Sequence, residues 1–493
     1  MTEPPKGVAE GFRFLSNDTL FYGFASAIMG LSQLILLPIL ARHLSISEFG
    51  VFDTLTVSII FFAAFLGLGL DSGVARFIRD PSIVRSNLLT SAVITQVAFS
   101  LPALVLIGFF IYCYLSFSKY NQEFFTLFVL TLTIVPFAVL VGTIKAYLRY
   151  TFNRKAFLLL TLGHAFGMLT VLGAGAWIFS ASLHFLIFLK LAVWLGAACF
   201  GLFAVRQHLM LPMRLFAERR IMAYSIPMGL IVAIAAFQPM LERIMVQTVI
   251  GDEAVGLYAV GARVAMIIAL PIGAFSAAFG AFFMAMHERP EAQDLFNFLL
   301  KVFLWALSVA CLCIVAFSEP IVRVVAGEQF AVIAPLVLPL TLSYVINAIG
   351  LFLGMGTVLA YKTYWRLLTF LISIAVTGVL MFFMGGWLGL MGVAFGVLIA
   401  RFLALFMESA LGQVLWPMAW DYWRFGVMIL VLMACSGVVF FVGVSGEQSI
   451  PIILFGMIFV TSATAWLIMK SSEKSIFSRL LFSFIRASHE RHP

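Results

Sequence analysis

Fourteen stretches of this chain are long and apolar enough to cross a lipid bilayer as helices, and that pattern decides the fold class before any motif is read. About twenty apolar residues span the hydrocarbon as a helix. The stretches run over 14–40, 50–70, 88–112, 124–144, 156–179, 184–205, 223–250, 256–284, 295–317, 333–360, 367–384, 388–411, 425–444 and 450–469. Of the 493 residues, 63% are hydrophobic and 11% charged, against about 25% charged in soluble domains. Helices apolar on every face need lipid as solvent, so the expected class is an all-α polytopic membrane protein with 14 transmembrane helices. The first stretch is longer than a signal-peptide core and lacks a small-residue cleavage site, so it is expected to stay as span 1.

Orientation follows from the cations, because short cytoplasmic loops collect Lys and Arg. With the N-terminus inside, inner segments hold 22 of the 30 basic residues, among them Arg76, Arg79, Arg85, Lys145, Arg149, Arg154, Arg214, Arg219, Arg289 and Lys362. Outer segments hold three: Arg42, Lys119 and Arg323. Both termini are therefore expected in the cytoplasm. The net charge of +8 does not imply nucleic acid, because the cations sit in short clusters between apolar stretches rather than along one face. All loops are short, so activity must lie within the bilayer or at its faces. Cys113, Cys199, Cys311, Cys313 and Cys435 show no zinc-type spacing and read as packing residues.

Two segment pairs echo each other. Glu48-Phe49-Gly50-Val51-Phe52 opens span 2, and Ala254-Val255-Gly256-Leu257-Tyr258 opens span 8; Gly142-Thr143-Ile144-Lys145-Ala146-Tyr147 ends span 4, and Gly356-Thr357-Val358-Leu359-Ala360-Tyr361 ends span 10. Each pair is six spans apart. An even number of spans per repeat keeps both copies in one orientation, the parallel arrangement of some transporter folds. The expected organisation is an N-lobe over 1–222, a C-lobe over 223–424, and spans 13 and 14 with a basic tail over 425–493. Gly163 with Gly167, Gly350 with Gly354, and Gly392 with Gly396 stand four apart and predict close helix packing.

At this point the chain resembles the polysaccharide transport branch of the multidrug, oligosaccharidyl-lipid and polysaccharide exporter superfamily, which includes the Wzx-type O-antigen flippases. The resemblance is carried by Leu37-Pro38-Ile39-Leu40-Ala41-Arg42-His43-Leu44, Glu48-Phe49-Gly50, Gly67-Leu68-Gly69-Leu70 through Ala75-Arg76-Phe77, Glu242-Arg243, Val255-Gly256-Leu257-Tyr258 and Gly261-Ala262-Arg263. It implies a non-enzymatic, alternating-access exporter that moves an undecaprenyl-diphosphate-linked oligosaccharide to the periplasmic leaflet through a cavity between two lobes. Where the family often has an aspartate before the arginine of span 7, this chain has Glu242. Sugar specificity is not carried over. A cation-coupled multidrug exporter and a lipid II flippase are the alternatives within transporters. A membrane glycan polymerase or ligase is the alternative outside them, though it would be expected to carry a large periplasmic loop. No HExxH, GxxxxGK[ST] or GxSxG motif is present. The implied partners are the lipid-linked oligosaccharide, membrane lipids and other polysaccharide-assembly membrane proteins. No cofactor is implied, and coupling to a sodium or proton gradient is open.

Charges inside the hydrocarbon need a reason. Glu242 and Arg243 lie about eight residues before the outer end of span 7, and Arg263 about seven residues into span 8, which places Glu242 to pair with Arg263 about 10–12 Å below the outer surface. These three, with Gln238, Asp53, Gln33 and Arg401, are the candidate cavity residues. Pro239 predicts a kink in span 7. Lys190 and Lys301 read as snorkelling cations, Asp71 and Arg76 as a local pair, and His164 as a hydrogen-bonded core residue.

The topology predicts that single cysteines at Ser47, Asp252 and Ser445 react with an impermeant thiol reagent added from the periplasm. A cysteine at Ser475 should stay unlabelled in sealed cells, and labelling there would reverse the orientation.

Overall fold

The fold was read from a computed structural model, which describes residues 25, 28–78, 80–81, 83–117, 122–179, 182–209, 217–286, 292–360, 363–444, 450–470 and 473–474. Arg79, Lys119, Arg214, Arg289, Lys362, the start of span 1 and the tail beyond residue 474 lie outside the described residues.

The described chain is helical with no strand. It runs α1 (Ile28–His43), α2 (Ile46–Leu66), α3 (Leu70–Phe77), α4 (Arg85–Phe117), α5 (Gln122–Leu132), α6 (Val135–Tyr150), α7 (Arg154–Gly167), α8 (Gly173–Phe179), α9 (Leu183–Val205) and α10 (Arg219–Val249). It continues with α11 (Asp252–Ala265), α12 (Ala269–Met286), α13 (Ala292–Ala316), α14 (Ser318–Ala326), α15 (Val337–Leu353), α16 (Met355–Leu359), α17 (Thr363–Leu415), α18 (Tyr422–Val444) and α19 (Ile450–Ile468). Among the described residues, 12 helical segments are long and apolar enough to cross a membrane. One of them holds two spans, because α17 bends at Gly389 (φ 59°, ψ −141°), and the shorter α1 supplies a further span. The result is the expected multi-pass membrane protein of fourteen spans.

Several spans are interrupted. Span 2 breaks between α2 and α3, where Leu68 (φ 53°) and Gly69 (φ 63°) take left-handed conformations. Span 8 breaks at the 3-10 turn Met266–Ile268 between α11 and α12, and span 5 contains a π-helical turn at Met168–Leu172. In contrast, α10 stays helical through Pro227 and Pro239. The irregular backbone expected of span 7 thus falls in span 2. Inside lipid such a break persists only where protein groups take up the freed backbone. Here the Gln96 side-chain amide donates to the Gly67 carbonyl at 3.0 Å, and Thr143 in turn donates to Gln96 at 2.9 Å.

Two compact units can be separated: Met1–Val260 with Arg323–Phe330 and Arg366–Val393, and Gly261–Val322 with Ala331–Trp365 and Ala394–Pro493. In the first unit, the start of α2 is fixed by a capping box. The Ser45 hydroxyl accepts from the Glu48 N–H at 3.3 Å, and the Glu48 carboxylate accepts from the Ser45 N–H at 2.9 Å. Phe49 packs edge-on to Phe330. A side chain at Gly50 would place its Cβ 2.6 Å from the Gly256 backbone nitrogen, and one at Gly256 would strike the Ile46 carbonyl. The two glycines that match in the sequence repeat therefore touch each other. At the other end of the same helix, a Cβ on Gly229 would lie 2.7 Å from the Leu68 backbone, so α10 crosses the break in span 2 at glycine as well.

The second unit is held by aromatic and ionic contacts. Phe275 and Phe303 stack with centroids 4.1 Å apart, and Phe279 lies 4.1 Å from Phe352, which joins α12, α13 and α15. Gly350 of α15 and the Gly354 that caps it face the carboxylate of Glu408: a Cβ on Gly350 would lie 2.5 Å from its Oε2. Lys301 does not snorkel. It is fully buried and donates to Asp421 at 2.7 Å and Glu473 at 2.6 Å. Burial alone would raise the Asp421 carboxyl, but Lys301 and Lys470 outweigh it and hold the group below the usual carboxylate range. This node ties α13 to the start of α18 and to the segment after α19.

Lys301→Met should leave the buried Glu473 carboxylate without its cation and cost about 3–5 kcal/mol. Adding Glu473→Leu should recover most of the loss. Thermal unfolding of the detergent-solubilised protein measures both.

Candidate functional site: a buried charge cluster on spans 2, 6, 7 and 8

Asp53 lies two turns into α2 and is 1% exposed. A carboxylate that deep needs a cation and hydrogen bonds, and Arg243 of α10 supplies the cation, its Nε donating to Asp53 Oδ2 at 2.9 Å. The same guanidinium donates from Nη1 to the Pro239 carbonyl at 3.3 Å and meets Glu242 Oε2 at 3.4 Å. Glu242 also accepts from the Tyr258 hydroxyl at 3.0 Å and from the Gln238 side-chain amide at 3.2 Å. The Tyr258 ring lies 5.4 Å from the guanidinium, within cation–π range. On the flanking face of α2, Lys190 of α9 donates to Thr56 at 2.5 Å and stands 4.7 Å over the Phe52 ring. Lys190 is 5% exposed, so it too is a buried cation rather than a snorkelling one.

Four residues expected in the sequence thus come together, Asp53, Gln238, Glu242 and Arg243, while Lys190 meets the same helix α2 at Thr56 and Phe52. An acid–arginine pair forms on Arg243. Helix length sets the depth of Arg263. The chain turns at Ile250 and Gly251 (φ 132°), and α11 begins at Asp252, four residues before the expected start. Arg263 then lies about 16 Å along α11 rather than near its outer third. Tyr258, as far beyond residue 250 as Glu242 is before it, reaches the carboxylate instead. This equal spacing about the turn was present in the sequence and identifies Tyr258 once the turn is placed.

The remaining candidates lie on other stretches of the chain. Arg263 is half-buried in the last turn of α11, directly before the 3-10 break. Arg401 donates to the Asn347 side chain at 3.1 Å, and Gln33 is half-buried on α1. Arg76 packs its guanidinium 4.4 Å over Tyr224 while Asp71 accepts from the Ser72 N–H, so the expected local pair does not form. His164 is 2% exposed, and neither ring nitrogen has a hydrogen-bond partner, contrary to expectation. Glu408, an acid on α17, was missed because it falls near the end of its span, where a charge draws little notice.

Two carboxylates, Asp53 and Glu242, meet the one Arg243 guanidinium, which joins α2 to α10. No group of three His, Cys, Asp or Glu suited to a metal occurs among the described residues.

Residues 39–335 match the family model described as "Polysaccharide biosynthesis protein". The chain belongs to that family. Among solved structures, it is similar to a lipid II flippase MurJ in an inward closed conformation, with 14% identity, a TM-score of 0.69, and coverage of 95% of this chain and 99% of that one. It is also similar to an inward-facing multidrug resistance MATE family transporter of the MOP superfamily, with 16% identity, a TM-score of 0.62, and coverage of 78% and 93%. A third is a MOP superfamily transporter from Pyrococcus furiosus, with 16% identity, a TM-score of 0.56, and coverage of 84% and 98%. No curated protein matches. This polysaccharide biosynthesis family member therefore carries the MOP transporter fold.

If the Asp53–Arg243 pair fastens span 2 to span 7, Arg243→Gln should strand a buried carboxylate and destabilise the fold by about 3–5 kcal/mol. Asp53→Asn in the same chain should restore most of that stability. An unchanged melting temperature in the single variant would remove the fastening role.

Proposed function

We propose that this chain flips an undecaprenyl-diphosphate-linked oligosaccharide from the cytoplasmic to the periplasmic leaflet of the bacterial inner membrane, in the assembly of O-antigen or another cell-surface polysaccharide. Family membership supports a role in polysaccharide biosynthesis, and the MOP transporter fold supports export rather than catalysis. The observation that carries the substrate class is Arg263, a half-buried guanidinium deep in a membrane-spanning helix and next to a helix break. A guanidinium matches phosphate oxygens in bidentate geometry. In this reading the Asp53–Arg243–Glu242 cluster holds spans 2, 7 and 8 together, and its acids are where a coupling sodium ion or proton would act. Transport then proceeds by alternating access, with both termini in the cytoplasm. Arg401 and Gln33 line the pathway. Lipid II transport is the second reading, favoured by the near-complete coverage of the lipid II flippase structure.

Binding of defined polyprenyl-diphosphate sugars to the purified protein tests this. Arg263→Lys keeps the charge and loses the fork, so affinity should fall about tenfold with melting temperature unchanged, and Arg263→Ala should bind more weakly still. Undiminished binding by Arg263→Ala would overturn the assignment. Preference for a pentapeptide-bearing disaccharide over other glycans would select the lipid II reading.

A further inference from the structure

The break in span 2 borders a polar cavity that the charge cluster does not use. It has a volume of 180 Å³ and lies among spans 2, 3, 4 and 7, with Gly67, Gly69, Asp71, Gln96, Gly142 and Thr143 among the residues lining it. Glycine keeps it open: a Cβ added at Gly142 would meet nothing within 4 Å. At about 30 Å³ per water, it has room for roughly six water-sized groups.

The lining is rich in oxygen. Its polar side chains are Asp71, Gln96 and Thr143, each of which carries an oxygen, and among the described residues no Lys, Arg or His lines it. Gln96 is 2% exposed, and its amide is fixed at both ends, by its bond to the Gly67 carbonyl and by the Thr143 hydroxyl. One lone pair of the amide oxygen is left over. Asp71 is exposed, and its carboxylate accepts from the Ser72 N–H at 2.8 Å and pairs with no cation among the described residues. The backbone adds further oxygens. A helix that ends leaves its last carbonyls without donors. At the end of α2 the Leu68 N–H reaches Phe65 at 3.4 Å in place of Ala64, and the Leu70 N–H reaches Gly67 at 3.0 Å in place of Leu66. Ala64 lines the cavity, and the end of α2 carries the negative pole of that helix.

Such a lining repels an anion, and a hydrocarbon chain there would desolvate the carboxylate for no return. A small cation fits it. Hard cations take oxygen ligands, and unwound carbonyls at the C-terminal end of a half-helix hold alkali ions in other membrane transporters. One carboxylate balances one positive charge, whereas a calcium loop gathers several. We propose that this cavity binds a monovalent alkali cation, with Asp71 supplying the charge and the Thr143 hydroxyl, the Gln96 amide oxygen and the Ala64 carbonyl supplying neutral oxygens. The ion joins the two halves of span 2 to spans 3 and 4 across the break. Its site shares no residue with the Asp53–Arg243–Glu242 cluster and is independent of which lipid-linked substrate is carried.

Binding of radiolabelled sodium to the purified full chain, at an ionic strength held constant with choline, tests this. One saturable ion per chain is expected. Asp71→Asn removes the charge and Thr143→Val removes an oxygen at nearly constant shape, and each should weaken binding at least about tenfold. Gly142→Leu removes none of the ligands yet fills the cavity, and should do the same. Melting temperatures in choline should match the unaltered chain for all three, which separates a lost ion from a lost fold. The chain carrying Asp53→Asn with Arg243→Gln should bind sodium normally. Loss of binding in that chain with retention in Asp71→Asn would move the ion to the charge cluster and overturn the proposal. Undiminished binding by Asp71→Asn or by Gly142→Leu would overturn it as well, and so would the absence of saturable binding by the unaltered chain. None of these results alters the reading of the chain as a flippase.

Discussion

Arg243 sits inside the hydrocarbon between two carboxylates, and its position fixes more of the first unit than any apolar contact does. Lipid tails are as apolar as the side chains facing them, so burying leucine against leucine gains little over leaving it in the membrane. A guanidinium and a carboxylate have no such alternative. Once Asp53 and Arg243 are in the bilayer, each is costly unless it meets the other, and the register of α2 against α10 follows. Tyr258 and Gln238 complete the hydrogen bonding around Glu242, which brings the start of α11 to the same place.

The second unit solves the same problem at its margin. Lys301 draws Asp421 and Glu473 onto one ammonium group, and the spans farthest along the chain are thereby anchored to α13. Together the two nodes show how a chain with 11% charged residues spends a few of them where they specify helix neighbours. Apolar packing then fills the space between, as the phenylalanine stack of α12, α13 and α15 does.

Much of this was legible in the residues, and the failures have a common cause. Hydropathy places spans well because the bilayer imposes one length on every helix. The glycines at 50 and 256 could be matched because backbone contact admits no other side chain. What hydropathy does not contain is which distant residue faces which. Lys190 and Lys301 were read as snorkelling because their partners lie 134, 120 and 172 residues away. Helix α11 begins at Asp252, four positions before the expected start, and on a helix four positions are a full turn of depth. His164 was misread for the opposite reason: a histidine at mid-membrane is expected to find a partner, and this one has none.

The glycine crossings at the two ends of α2 have a mechanical meaning. Helices that interlock through side chains move past one another in steps, since each knob must leave its hole before it can enter the next. Where Gly50 meets Gly256 and Gly229 meets the Gly69 turn, bare backbone slides on bare backbone and there is no knob to extract. Such contacts act as smooth bearings. Between them, the Asp53–Arg243 ion pair and the Phe61–Phe237 ring contact are what hold the register of α2 against α10.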